Sequence, residues 1–402
     1  MYGKRILLGI TGGIAAYKVA FLIRLLKKSG AEVKCIMTPA SKDFISPLVV
    51  STLSGNPVAI EFWNKADGTW NNHVDYGLWA DLLVIAPVTA NTLSKMVSGA
   101  CDNLLLATYL SMKGKTMIAP AMDLDMYAHP ATKRNLSILQ SDGVLLIPAG
   151  TGELASGLEG EGRMAEPEEI FAAIQEQCER EVLTSLLSGK KVLITAGPTH
   201  EALDPVRFIG NHSSGKMGYA LAEQFLREGA EVILVSGPVT LKLEHPKLTL
   251  YRVKSAREMA AVVEEQWPTC QIGVFAAAVA DYRPKQVQDQ KIKKEKEDNL
   301  TLELVKNPDI LGWAGQHKNA DQLLVGFALE TQDVEVNAAK KLATKNLDLI
   351  VMNTLEDEGV GFGLDTNRVR ILDKRNKFET FELKSKTAVA QDIINYLKTL
   401  IA

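Results

Sequence analysis

Several residue groups in this 402-residue chain have types and spacings that could do chemistry. Thr11-Gly12-Gly13-Ile14-Ala15 joins an apolar run, residues 4–10, to an amphipathic segment, residues 15–28. At a strand-to-helix turn the free backbone N–H groups and the helix dipole suit a phosphate. A tight turn that merely needs glycine reads the same way. Thr89-Ala90-Asn91-Thr92 follows a second apolar run, 81–87, and Ala121-Met122-Asp123 follows a third, 115–120. Hydroxyls and an amide at several strand ends point to a ligand, because open α/β sheets bind outside the carboxyl ends of their strands. His73, one of six histidines, precedes the second run. It could serve as a base near neutral pH, or simply cap a surface helix. Lys341 and Lys345 are four apart and share one helix face. With Lys291 they could hold a polyphosphate, although a solvated helix surface would look the same.

The first glycine turn lacks the dinucleotide fingerprint. Ala15 and Ala16 stand where G-x-G-x-x-G needs its last glycine, and Met37-Thr38-Pro39, not an acidic residue, closes the second strand. An NAD(P) oxidoreductase is therefore disfavoured. A mononucleotide with one terminal phosphate fits better, and flavin mononucleotide (FMN) is the candidate.

These groups need elements to carry them, and the strand–turn–helix–strand pattern begins twice. Residues 4–10, 15–28 and 31–37 form one such series; residues 190–195, 217–227 and 230–235 form another. Each is a βαβ opening, the mark of a parallel sheet. The expected fold is α/β with two parallel-sheet domains, the N-terminal one flavodoxin-like and the C-terminal one Rossmann-like. We place them at 1–180 and 190–402, with 181–189 as linker. The second opening has a long loop, 196–216, of the kind that is usually functional. Residues 281–304 are rich in charge of both signs and read as a solvated, mobile segment. Composition is ordinary for a globular protein: 46% hydrophobic and 23% charged, with formal net charge −3. That balance gives no case for a nucleic-acid or membrane-surface partner. No apolar run is long enough for a membrane span. Cys35, Cys101, Cys178 and Cys270 lie far apart without a C-x-x-C pair, as expected of thiols in a reducing cytosol. A cytoplasmic location is expected, and no metal ligands are assigned.

The N-terminal motifs resemble the FMN-dependent phosphopantothenoylcysteine decarboxylases. They are Gly12 to Lys18, His73, Ala86 to Thr92, Cys101-Asp102-Asn103-Leu104-Leu105, Ala119-Pro120-Ala121-Met122 and Gly162 to Pro167. The resemblance implies trimers with FMN at the subunit interface, contacted by Gly12, Gly13, Ile14, Thr38, Thr89, Ala90, Asn91, Thr92 and Ala121. It implies His73 as catalytic base, acting while the flavin oxidises a cysteine thiol so that carbon dioxide can leave. The C-terminal half is similar to phosphopantothenate–cysteine ligases, through Thr195 to Thr199, Pro205 to Ile209, Asn211 to Gly218, Ala277 to Tyr282, Lys291 to Lys294, Lys306 to Leu311 and Gly326 to Thr331. It implies activation of a carboxylate by CTP with Mg²⁺. CTP contacts pass to Phe275, Ala276, Ala277, Asp281, Lys291, Pro308, Asp309, Ile310, Leu311, Phe327, Lys341 and Lys345, and turnover of the acyl-cytidylate to Asn211 and Lys291. Residues 291–296 become a flap. The fusion looks like that of bifunctional coenzyme A biosynthesis: phosphopantothenate, cysteine and CTP are joined, then the product is decarboxylated to phosphopantetheine. Trimeric and dimeric halves imply a closed homo-oligomer, a dodecamer.

Two positions depart from the decarboxylase pattern. Asp123 stands where the family has an asparagine for the substrate carboxylate, and Ser156 where it has a proton-donating cysteine. One reading makes a protonated Asp123 the donor. The alternative is an active ligase fused to an impaired decarboxylase half, or to one that serves as a flavin-binding scaffold.

Overall fold

The computed structural model describes every residue except 65, 155, 294–299, 330–333, 354–360, 362 and 402. The chain divides into two compact units, Met1–Glu181 and Val182–Ala402. Helix Pro167–Leu183 runs through the start of the segment expected as linker, so residues 181–183 are helical.

The first unit is built on β1 (Arg5–Ile10), β2 (Glu32–Met37), β3 (Val58–Ala59), β4 (Leu82–Val88), β5 (Lys115–Pro120) and β6 (Leu145–Leu146), in the order β3-β2-β1-β4-β5-β6. Every pairing in it is parallel. Both faces are covered, which is why these strands read as unbroken apolar runs. Alternate residues of β1 serve different layers. Ile6, Leu8 and Ile10 pack with Val19, Leu22, Ile23 and Leu26, whereas Leu7 packs with Leu104, Leu105 and Leu106. The amphipathic segment expected from residue 15 opens as a 3-10 turn, Ile14–Lys18, before the α-helix Val19–Lys28. A hairpin, β7 (Gly150–Glu153) and β8 (Glu159–Arg163), lies beyond the sheet.

The second unit has β9 (Lys191–Ala196), β10 (His200–Ala202), β11 (Phe208–Gly210), β12 (Glu231–Ser236), β13 (Leu248–Arg252), β14 (Ile272–Phe275), β15 (Tyr282–Pro284), β16 (Leu304–Lys306), β17 (Leu323–Leu329), β18 (Leu349–Asn353), β19 (Thr366–Asn367), β20 (Arg370–Asp373), β21 (Phe378–Thr380) and β22 (Lys384–Ser385). Its main sheet runs β13-β12-β9-β14-β17-β18-β20-β21. The pairings are parallel as far as β18, but β20 and β21 add on antiparallel. The parallel core is as expected, and a turn around residues 374–376 returns β21 directly beside β20. Two expectations are corrected. The 196–216 loop contains its own hairpin, β10–β11, and the charged 281–304 segment starts and ends on a second, β15–β16. One face of β9 packs through Val192 and Ile194 on helices Lys216–Arg227 and Lys386–Ile401. The other face presents Leu193 to Trp267, Met259 and Val263. No helix among the described residues is long and apolar enough to cross a membrane.

Candidate functional sites

In each unit the strand order reverses beside the first strand: between β1 and β4, and between β9 and β14. Cavities open at both reversal points, as the geometry of wound sheets requires.

The cavity of the first unit encloses about 900 Å³ and gathers the carboxyl ends of β1, β2, β4 and β5. Thr11 ties two of them together. Its Oγ1 donates to the Pro87 carbonyl (2.8 Å) and accepts from the Thr89 N–H (3.2 Å). Thr89 caps helix Ala90–Ser98, accepting from Thr92 N–H at 3.4 Å. At Gly12 a Cβ would sit 3.0 Å from the Ala40 carbonyl carbon, so a side chain there would push the β1 turn and the loop after β2 apart by a few tenths of an ångström. A Cβ at Gly13 would have Thr89 Cγ2 as its nearest neighbour, at 3.7 Å. This backbone-rich cradle with hydroxyls around it fits a mononucleotide phosphate. Lys18, buried beneath it, donates to the Met164 carbonyl (3.0 Å) and Glu166 (2.9 Å). The Lys18 hydrogen bond holds the Glu166 carboxyl below its usual range, and the charges of Lys18 and Arg163 add to it. Lys95 pairs with Asp102 and lowers that carboxyl likewise.

The second unit has two cavities that share Ala277, Val279 and Phe327 in their walls. One, about 370 Å³, lies against the start of helix Lys216–Arg227. Gly215 precedes that helix at φ +76°, a conformation other residues adopt only with strain. Asn211 Nδ2 reaches across to the Ala278 carbonyl (3.0 Å). Lys216 donates to Asp365 and the Gly363 carbonyl, both at 2.7 Å, and Lys386 to the Leu364 carbonyl. Burial, then the charge of Lys216, lowers the Lys386 pKa. The other cavity, about 530 Å³, is bounded by Asp281, Asn307 to Leu311, Lys341 and Lys345. Asp309 caps helix Ile310–Gln316 through the Gly312 N–H (2.9 Å) and pairs with Lys345, while Lys341 donates to the Phe327 carbonyl (3.1 Å).

Comparison with known proteins decides the family. The Flavoprotein family matches residues 1–179, and the "DNA/pantothenate metabolism flavoprotein C-terminal domain" family matches residues 187–400. The coenzyme A biosynthesis bifunctional protein CoaBC of Bacillus subtilis (strain 168) is 44% identical over 397 residues, 99% of this chain and 97% of that one. The chain belongs to the bifunctional coenzyme A biosynthesis family. Enzymes of this family carry a phosphopantothenate–cysteine ligase and a phosphopantothenoylcysteine decarboxylase. The Escherichia coli (strain K12) member is 40% identical over 407 residues, 98% of each chain. A third relative, a "Cysteine/Cysteine sulfinic acid decarboxylase" from an unknown prokaryotic organism, is 51% identical over 358 residues, 89% of this chain and 99% of that one.

Set against the family's motifs, the first cavity brings together Gly12, Gly13, Ile14, Thr38, Thr89, Ala90, Asn91, Thr92, Ala121 and Asp123. It does not include His73 or Ser156. His73 begins helix His73–Trp79, with Phe62 edge-on to its ring at 6.3 Å and its Nδ1 buried without a partner. Ser156 is exposed next to Gly157, in the turn between β7 and β8. In the second unit the larger cavity holds every residue assigned to CTP except Ala276, which lines the smaller one beside Asn211, and Lys291. Lys291 is exposed and lines neither. Its neighbour Ile292 is gripped: Asp204 accepts its N–H (3.1 Å) and Arg207 Nη2 donates to its carbonyl (2.7 Å). Burial of Asp204 opposes its ionisation, but Arg207 and the Val206, Ile292 and Arg207 N–H groups prevail and hold the carboxyl far below its usual range. Residues 294–296 of the expected flap lie outside the described residues. Sequence reasoning quoted Lys216 and Arg207 within motifs but gave them no role, and it missed Asp204 and Lys386. The only available signal was their position beside a loop or at a helix start. Among the described residues no acidic, histidine or cysteine cluster could hold a metal ion.

Proposed function

We propose that the second unit joins 4′-phosphopantothenate to cysteine at the expense of CTP, and that the first decarboxylates the product with FMN. The observation that carries the reading is the convergence of separately encoded strand ends on the cavities at each reversal point. Bound FMN would supply the two-electron chemistry that makes carbon dioxide loss possible. Thr11, Gly12, Gly13, Thr38 and Thr89 to Thr92 would hold its phosphate and ribityl arm, and Ala121 would face its ring. His73 would act as base on the cavity of a second copy. Its absence from its own cavity and its buried, unpartnered Nδ1 support this, as do the exposed apolar residues Ile14 and Tyr17 of the 3-10 turn and Phe21 of the helix that follows it. In this reading the first unit forms a trimer, and with a dimeric second unit the whole forms a dodecamer. Lys341 and Lys345 bracket the nucleotide, which arrives with Mg²⁺; Asn211 and Lys291 act on the acyl-cytidylate. Ser156 would act on the substrate from the turn between β7 and β8, outside the lining of its own cavity, and the location is the cytoplasm.

A second substrate for the first unit is favoured by Asp123, a cavity carboxylate without a counter-ion, and by the decarboxylase relative named for cysteine: free cysteine itself. Supplying phosphopantothenate, cysteine, CTP and Mg²⁺ and weighing the products tests both readings. Phosphopantetheine with CMP supports the two-step enzyme; recovery of unchanged substrates refutes it.

A further inference from the structure

The cations around the first cavity are already spent. Lys18 is held by Glu166 and the Met164 carbonyl, Lys95 by Asp102, and Arg163 by Glu166. Asp123 is different. It lines the cavity, yet among the described residues its side chain makes no ion pair and no hydrogen bond, not even the capping bond its place before helix Leu124–Ala128 would allow. Its backbone is fixed. The Met122 N–H donates to the Gly162 carbonyl (3.0 Å) and the Tyr127 N–H to the Asp123 carbonyl (2.9 Å). Gly162 packs so closely that a Cβ there would lie 2.5 Å from the Met122 carbonyl oxygen. A fixed carboxylate without a partner in its own chain, in a cavity whose own cations already have carboxylate partners (Lys18 and Arg163 share Glu166), is complemented by a ligand cation that donates hydrogen bonds.

We propose that Asp123 is the specificity-determining residue of the first unit and pairs with the α-ammonium of a free, cysteine-type amino acid. The inference rests on the flavin-dependent decarboxylase reading and deepens it. An N-acylated cysteine has no ammonium and offers Asp123 only a neutral amide N–H. The phosphorylated pantothenoyl arm brings contacts of its own, so that substrate is not shut out. A short acyl group brings none, so small ligands are sorted by Asp123 alone.

The test uses the full-length protein with its flavin bound and two ligands that lack a thiol and cannot turn over, L-serine and N-acetyl-L-serine. Binding is read from the change in flavin absorption and by calorimetry. The parent is expected to bind L-serine at least about tenfold more tightly than N-acetyl-L-serine. Asp123→Asn should cut L-serine affinity roughly tenfold to a hundredfold, the range of a charge-assisted hydrogen bond, and leave N-acetyl-L-serine nearly unchanged. Asp123→Glu should keep part of the preference. Equal binding of the two ligands by the parent overturns the proposal, and so does an unchanged ratio in Asp123→Asn. A chain that takes up no flavin overturns the decarboxylase reading and this inference together. A chain that binds flavin and decarboxylates phosphopantothenoylcysteine, yet does not discriminate, overturns this inference alone.

Discussion

Replacing Gly218 by alanine should impair the ligase half and spare the flavin half. Gly218 lies in the first turn of helix Lys216–Arg227, where the helix rests on the end of β9. An added Cβ would stand 2.5 Å from Ala196 Cβ and 3.1 Å from Ala196 Cα. Carbon atoms pack at about 3.5–4.0 Å, so the helix must lift by about 1 Å. Overpacking of this kind costs about 1–3 kcal/mol. At about 2–4 °C per kcal/mol for a unit of this size, its melting temperature should fall by roughly 2–12 °C. The same lift moves the start of the helix, and with it the wall of the cavity that Asn211 and Lys216 line. A displacement near 1 Å costs about 10²-fold in rate. The assay is pyrophosphate release from CTP in the presence of phosphopantothenate, with flavin content and calorimetric melting measured on the same sample. A variant that melts within a degree of the parent and releases pyrophosphate within a factor of two would show that this close approach does not position the site.

Other outcomes follow from the same geometry. Burial pushes the Cys35 thiol up to about 12 and Cys178 to about 11, and raises Cys270, while Cys101 is exposed. Iodoacetamide at pH 8 should therefore label Cys101 alone in the native protein and all four cysteines after denaturation, as mapped by mass spectrometry. Asp348 is buried, which opposes its charge, yet Lys318, Lys374 and the Leu324 N–H hold its carboxyl below the usual range. Its stabilisation is then complete above the unfolded-state pKa near ~3.9 and is lost as pH falls through the lower folded value. Melting of the second unit should drop below about pH 4, and Asp348→Asn should melt lower at pH 7 with a flatter acid dependence; identical acid profiles would contradict this. Arg207→Ala frees the Ile292 carbonyl and removes the principal partner of Asp204. It should slow CMP release at least about tenfold through misplacement of Lys291, with flavin content unchanged; a normal rate would detach Lys291 from the reaction.

Much of the fold was legible because it is written locally. The run at 4–10, followed by a glycine turn and an amphipathic helix, specifies strand, turn and helix through neighbours a few residues apart, and the run at 191–196 and the helix at 216–227 are each as local, although a hairpin-bearing loop separates them. Parallel pairing follows, since a strand followed by a helix returns in the same direction. The cavity-lining residues at strand ends, Thr11 to Ile14, Thr89 to Thr92 and Ala121, were legible for the same reason: wound sheets put those ends together whatever else the chain does. Tertiary structure decided the rest. The antiparallel additions β20 and β21 depend on how the chain comes back to the sheet edge, through a tight turn in the case of β21, rather than on hydrophobic period. Asp204 and Arg207 grip Ile292 some 85 to 88 positions away, and Lys18 finds Glu166 at a separation of 148. No periodicity carries such partners, because a side chain's charge says that it needs a counter-ion and not which one. His73 and Lys291 make the same point from the other side. Their chemistry was readable in their type, but whether a cavity of the same chain receives them depends on packing between distant segments, and they line none of the three cavities described. Asp123 shows both halves at once. Its carboxylate was visible in the sequence, and only the folded chain shows that every nearby cation is already taken.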